Sequence, residues 1–364
     1  KLAANMSSDW GRPQFDDPTG DNYATVATSA DAAVTAHWDP DGHIRPLKDT
    51  VTIDVSDGAI GPGDTITLTL GDTSSGSLGH RAQTFPEDDF ELALLVDAFE
   101  SGEPVRLPDE LTYDIVAGPA NELHAFVPST AESGETVVVR IRAEDYWGNT
   151  AAGYDGDLRI EGDALNTAVT ATADKGLAHV DVTPTESGVH RLSVAAEGRE
   201  DLATTTNPLR YGLGDDDHTF WGDIHGQSGE TVGTGTIQQY FRYLRENAHL
   251  DFGSHAANDF QITDSFWETI QAEVHKHHDP GSFVTFLCYE WSPNTPVGGD
   301  HNVYFRGDEA EIHRSSSWQI ADGFAKHHGT HPVEALYDTY AGRDDVMIIP
   351  HQGGRPATLE AYDP

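Results

Sequence analysis

The chain has 364 residues, 37% of them apolar, and carries 61 Asp and Glu against 21 Lys and Arg, a formal charge of −40. Its length predicts two or three domains; no run nears the roughly 18 apolar residues of a membrane helix, and nucleic-acid phosphates would meet a field of their own sign. The acids lie in every segment rather than in a tail, so their self-repulsion, relieved when roughly molar salt shortens the Debye length to about 3 Å, points to a salt-loving host; a surface for a cationic partner is the alternative.

The single cysteine, Cys288, excludes an internal disulfide framework and sits in an apolar run, where a buried thiol is expected. No apolar signal stretch opens the chain, which points to the cytoplasm. Residues 7 to about 46 read as a polar leader in which only 23–28 has strand character. Alternation then predicts strands at 51–55 and 65–70 around a turn, and further strands at 90–96 and 112–116, which together predict a β-sandwich domain over 1–117. Strands at 122–127, 136–143, 157–160, 176–182 and 188–194 predict a second, immunoglobulin-like sandwich over 118–210. Tyr146 and Trp147, before Asn149, read as a Trp packed at a strand end, with a carbohydrate-binding aromatic pair as the weaker reading.

The composition changes after Tyr211: 13 of the 19 histidines follow, and helical periodicity appears, which marks a third domain over 211–364. Thr236-Ile237-Gln238-Gln239 has capping-box spacing and opens a helix with Ile237, Tyr240, Phe241 and Leu244 on one face. Asp264 is placed to cap a second helix with Trp267, Ile270 and Val274 inward, and 331–337 predicts a third. Between them lie apolar runs at 220–224, 250–253, 283–289, 302–305 and 346–349. Alternation of strand and helix predicts a parallel sheet, open or closed.

In such architectures the chemistry gathers at the C-terminal ends of the strands. Those ends carry Asp223, His225 and Gln227, then His255 and Asp259, then Glu290, and last His351. Imidazoles and carboxylates so placed are the ligand types of a hydrolytic Zn, Mn or Fe centre. His301, leading into a strand from a Gly-rich loop, is a further candidate to face the site, while Arg355 after Gly353-Gly354, and Arg306, offer a grip for an oxyanion-bearing substrate. The histidines at 275, 277, 278, 327, 328 and 331 flank helices and are read as non-ligands.

Gly222-Asp223-Ile224-His225, Tyr289-Glu290-Trp291-Ser292, Gly299-Asp300-His301-Asn302-Val303 and Pro350-His351-Gln352-Gly353-Gly354-Arg355 together resemble the DUF3604 family, related to the polymerase and histidinol phosphatase (PHP) superfamily of metal-dependent phosphoesterases. The resemblance covers roughly 218–364. It implies a distorted (βα)7 barrel with one to three divalent ions at its C-terminal face; His225, Glu290 and His351 carry over as ligands, His255 and Asp259 join the metal set, and Asp223 and His301 are the catalytic candidates. The superfamily's first motif has a second His where this chain has Gln227, placed here with the substrate-binding residues, and its late Asp-x-His motif is absent. The expected barrel is therefore incomplete at its C-terminus, with the missing strands supplied by the same polypeptide or by a partner chain. The functional expectation is a metal-dependent hydrolase, foremost a phosphoesterase acting on a small oxyanion-bearing substrate; hydrolysis of another ester or amide, or a non-catalytic binding protein with a vestigial site, are the alternatives.

Overall fold

Most of the strands read from alternation form in the computed structural model of the chain, but several pair with elements other than their sequence neighbours. The structure describes residues 1–6, 9–43, 47–99, 101–109, 111–214, 218–293, 298–316 and 331–350. The chain divides into two compact units, Lys1–Gly118 and Pro119–Pro364.

In the first unit Asp49–Ser56 and Ile66–Leu70 are not hairpin partners. Ile66–Leu70 pairs with Ala24–Thr28, and Asp49–Ser56 lies between Ala33–Asp39 and Leu2–Ala4, all antiparallel. Leu2–Ala4 also pairs with Glu87–Val96, so the first residues of the chain are internal to a sheet, with Ala3 and Ala4 buried. The stretch read as a leader thus contributes two strands. Ala33–Asp39 escaped notice because its residues lie only half-buried or exposed and its sequence lacks the bulky apolar alternation of a core strand.

The second unit opens with a sandwich whose inward period is plain in Val137, Val139, Ile141 and Ala143, all buried between partly exposed neighbours. A three-stranded sheet (Leu177–Val182, Val137–Glu144, Glu122–Phe126) and a four-stranded sheet (Val169–Thr172, Asp157–Glu161, Ser193–Ala196, Arg199–Thr205) contribute to one core. Leu209–Tyr211 completes this part, pairing with Gly188–His190 and burying Tyr211. The reading of Trp147 as packed is overturned: Tyr146 and Trp147 are 75% and 60% exposed and meet edge to face. The buried Asp145 carboxylate braces the turn instead, accepting the backbone N–H of Trp147 at 2.8 Å and of Asn149 at 3.0 Å.

After the sandwich a five-stranded sheet runs in chain order: Gly222–Gly226, Phe252–His255, Val284–Trp291, His301–Phe305 and Val346–Pro350. The first three are parallel and the last two antiparallel to their neighbours. This corrects the expected (βα)7 barrel. Among the described residues the sheet is open and mixed, with Gly222–Gly226 and Val346–Pro350 as its edges. The reason is connection length: residues 292–300 are too few for a crossover helix, so the chain reverses direction after Trp291.

All three α-helices of the described residues pack on one face of the sheet. Ile237–Arg242 carries the expected capping box of Thr236 and Gln239. Asp264–His277 is capped by Thr263, one residue before the expected Asp264, and Val333–Tyr340 is the third helix. Ile237, Phe241, Leu244, Trp267, Ile270, Val274, Leu336 and Tyr340 share a core with Leu287, Tyr289, Trp291, Val303 and Phe305 of the strands. Because side chains alternate across a strand, Cys288 and Glu290, and likewise Asn302 and Tyr304, point to the other face. No helix of the described residues is long and apolar enough to cross a membrane.

The sandwich meets the strand–helix segment through Arg142, which donates to Asn247 O, and through the His249 ring, 5.5 Å from Phe126. Burial, reinforced by Arg140 and Arg142, depresses the His249 pKa to about 4. The folded state therefore favours the neutral ring. Its contribution is intact above the unfolded value near 6.5 and is lost as pH falls toward 4, by roughly 2–4 kcal/mol. His249 lies at φ 57°, which Asn tolerates. Urea unfolding should show wild type losing more stability than His249→Asn between pH 7 and 4; parallel profiles would refute the assignment.

Candidate functional site

The Gly222–Gly226 strand delivers His225 beside the end of Val284–Trp291, where Glu290 stands 4% exposed. Gly226 permits this approach: a Cβ there would lie 2.1 Å from the Tyr240 hydroxyl, which itself donates to Ser254 O at 2.9 Å and ties the first helix to the neighbouring strand. His225 Nε2 and Glu290 Oε2 face each other at 3.9 Å.

Neutral groups hold both side chains. Gln227 Nε2 donates to Glu290 Oε2 at 2.9 Å, and the Ser292 hydroxyl lies 3.0 Å from Oε1 while accepting from Asn258 Nδ2 at 2.8 Å. Gln227 is itself oriented by Thr231, whose hydroxyl donates to its Oε1 at 2.6 Å. On the far side of the imidazole, Nδ1 is 2.8 Å from Asn302 Nδ2 and 3.2 Å from Asn302 Oδ1. The His225 backbone N–H donates to the exposed Asp223 carboxylate at 2.9 Å, so Asp223 braces the strand.

The side chains of the other candidates are engaged elsewhere. His255 is fully buried between the rings of Tyr240 and Phe266, with Nε2 2.7 Å from Ser228 Oγ, and burial drives its pKa down to about 3. Its ring is held neutral beneath the turn that carries Gln227. Asp259 accepts the backbone N–H of Ser292 at 2.8 Å and that of Ser315, and its complete burial raises its pKa to about 7. It joins two loops behind Glu290. His301 packs against Trp291 and Tyr337, with Nδ1 2.9 Å from Gly299 O. Arg306 follows the opposite end of the same strand and donates to Asp344 O at 3.2 Å. Pro350 pairs with His301 at the Glu290 end of the sheet, while His351 and Arg355 lie outside the described residues. Among the described residues no group of three or more His, Cys, Asp or Glu is arranged to hold a metal.

Sequence reasoning missed Asn302, Tyr304, Ser292 and Thr231. Asn302 was legible in principle: Val303 and Phe305 are core residues, so His301 is in phase with the core and Asn302 with the opposite face.

The strands and turns that carry His225, Gln227, Glu290 and Asn302 lie within one stretch that also stands out in comparison with known proteins. Residues 206–355 match the family model described as "Protein of unknown function (DUF3604)". The chain is 24% identical over 311 residues to an uncharacterized protein of Chlamydia trachomatis serovar D, covering 81% of this chain and 49% of that protein. The same values hold for an uncharacterized protein of Chlamydia muridarum. The chain thus spans about half the length of the curated relatives it matches. Among solved structures, a Paenibacillus cycloisomaltooligosaccharide glucanotransferase gives a TM-score of 0.26 at 12% identity, over 48% of this chain and 28% of that one, a likeness too slight to bear on fold or activity.

Proposed function

We propose that the DUF3604 segment is a metal-dependent hydrolase whose ion is held between His225 and Glu290. The observation that supports this is the convergence of an imidazole nitrogen and a carboxylate oxygen, 3.9 Å apart, from the ends of two strands. That separation is too long for a hydrogen bond. It is about 0.6 Å more than the roughly 3.3 Å between two ligands each about 2.05 Å from a tetrahedral zinc ion. One imidazole and one carboxylate suit a borderline ion such as Zn²⁺, Mn²⁺ or Fe²⁺. Partners behind a ligand are the usual means of fixing its orientation, and here Asn302 stands behind His225 while Gln227 and Ser292 hold Glu290.

When bound, the ion supplies Lewis acidity, polarising a phosphoryl or carbonyl oxygen and acidifying water. The protein's own part is to keep the Glu290 carboxylate immobile through two donors and to leave His225, 44% exposed at its side chain, open to a substrate. Phosphate esters are the first substrate class to test, because the motifs around His225, Glu290 and His351 resemble those of metal-dependent phosphoesterases. A non-catalytic binding role is the second reading; the carboxamide of Gln227, where the resemblance implies a second His, favours it.

Hydrolysis of p-nitrophenyl phosphate and bis-p-nitrophenyl phosphate in molar KCl should depend on added Mn²⁺ or Zn²⁺ and stop with chelator. His225→Asn should lower turnover by more than the roughly 10–100-fold typical of residues behind a ligand. Metal binding without turnover of either ester class would select the binding role, and turnover unchanged by chelator would refute the metal-dependent reading.

A further inference from the structure

We propose that Asn302 is a positioning residue that serves His225 in both of its neutral tautomers, so that the imidazole accepts a cation without losing a proton. This rests on the reading of His225 and Glu290 as the ion-holding pair.

The Tyr304 hydroxyl donates to Ile224 O at 2.8 Å, so toward Asn302 it presents lone pairs. Asn302 Nδ2 donates to it at 2.9 Å. A flipped carboxamide would set its oxygen against those lone pairs, so the Tyr304 contact fixes which end of the amide is nitrogen. Both Asn302 and Tyr304 are at least 95% buried, on one strand and one face, and share this chain of hydrogen bonds with the backbone of the His225 strand.

Either end of the fixed amide reaches His225 Nδ1, at 2.8 Å for Nδ2 and 3.2 Å for Oδ1. With a lone pair on Nδ1, the second hydrogen of Nδ2 donates to it and the ring proton sits on Nε2, facing Glu290. With the proton on Nδ1, the ring donates to Oδ1 and the Nε2 lone pair faces Glu290 Oε2, the arrangement that takes a divalent cation. The shorter contact is to Nδ2, the one made by the Nε2–H form, so that form is the one expected before an ion binds. The proton moves from one ring nitrogen to the other, the ring stays neutral, and the amide shifts by only a few tenths of an ångström. A carboxylate in place of the amide would accept only, and a leucine would do neither.

The test is long-range ¹H–¹⁵N NMR of histidine-labelled protein at neutral pH, with the His225 signal assigned by its loss in His225→Asn, together with zinc titration by calorimetry. Wild type should show the Nε2–H tautomer before zinc and the Nδ1–H tautomer after it. Asn302→Asp should show Nδ1–H before any zinc is added and bind zinc at least as tightly as wild type. Asn302→Leu should bind zinc about 10–100-fold more weakly with an unchanged circular dichroism spectrum; if it does not fold, the Asp variant and the wild-type tautomers decide. Equal zinc affinity in wild type and Asn302→Leu, or an Nε2–H ring in Asn302→Asp, overturns the role of Asn302 and leaves the ion-holding pair standing. Wild type that takes no zinc overturns both.

Discussion

The thermal midpoint of the protein should climb by roughly 10 °C or more as KCl is raised from about 0.1 M to about 2 M, a range over which the Debye length falls from about 10 Å to about 3 Å or less. A formal charge of −40 on 364 residues leaves most carboxylates without a basic partner. Several surface ion pairs are short-range couples such as Arg159–Glu161, Arg199–Asp201 and Arg343–Asp345, each between residues two apart on an exposed surface. Pairs of this kind contribute at most about 1 kcal/mol and do little to offset repulsion summed over the surface. If screening recovers several kcal/mol, the usual conversion of about 2–4 °C per kcal/mol for domains of 150–250 residues gives the stated shift. Potassium chloride at fixed pH, with a sucrose series of matched osmolality as control, separates screening from the general effect of solutes excluded from the surface. A midpoint that is flat or falls with KCl would show that the acidic surface is tolerated without salt.

How much of this was legible in the sequence depended on whether the signal was local. Alternation in 136–143 and the capping box at Thr236 are properties of a few consecutive residues, and both appear where expected. Strand partnership is not local. Nothing within 51–55 and 65–70 says that one pairs with Leu2–Ala4 and the other with Ala24–Thr28, since any turn-linked pair of half-buried strands reads as a hairpin. The expectation of an all-parallel sheet from strand–helix alternation failed for a related reason: it took the apolar run at 302–305 as one more parallel strand, although residues 292–300 leave no room for a crossover.

The site divides in the same way. His225 and Glu290 were singled out because each ends an apolar run, and the structure sets them 3.9 Å apart. His255 and Asp259 satisfied the same rule and turned out to be buried behind the pair, because a residue type at a strand end does not reveal the side to which it turns. Asn302 and Tyr304 were passed over as neutral residues in an apolar strand, yet their phase relative to Val303 and Phe305 sets them on the same face as Glu290. The phase of this strand against its core sets Asn302, and not the catalytic candidate His301, on the face that carries Glu290.

Whether His225 and Glu290 hold a divalent ion is tested most directly by Glu290→Gln. The substitution keeps the shape of the side chain and one accepting oxygen for Gln227 or Ser292, so its cost to the fold should be near the 1–3 kcal/mol of a disturbed buried hydrogen bond. It removes the anionic ligand altogether. Zinc titration by calorimetry in molar KCl, with circular dichroism on the same samples, should show wild type binding zinc and Glu290→Gln binding it at least about 100-fold more weakly, more than residues behind a ligand usually cost, with superimposable spectra. Equal zinc affinity in the two proteins would contradict the claim and return Glu290 to a structural role at the end of its strand.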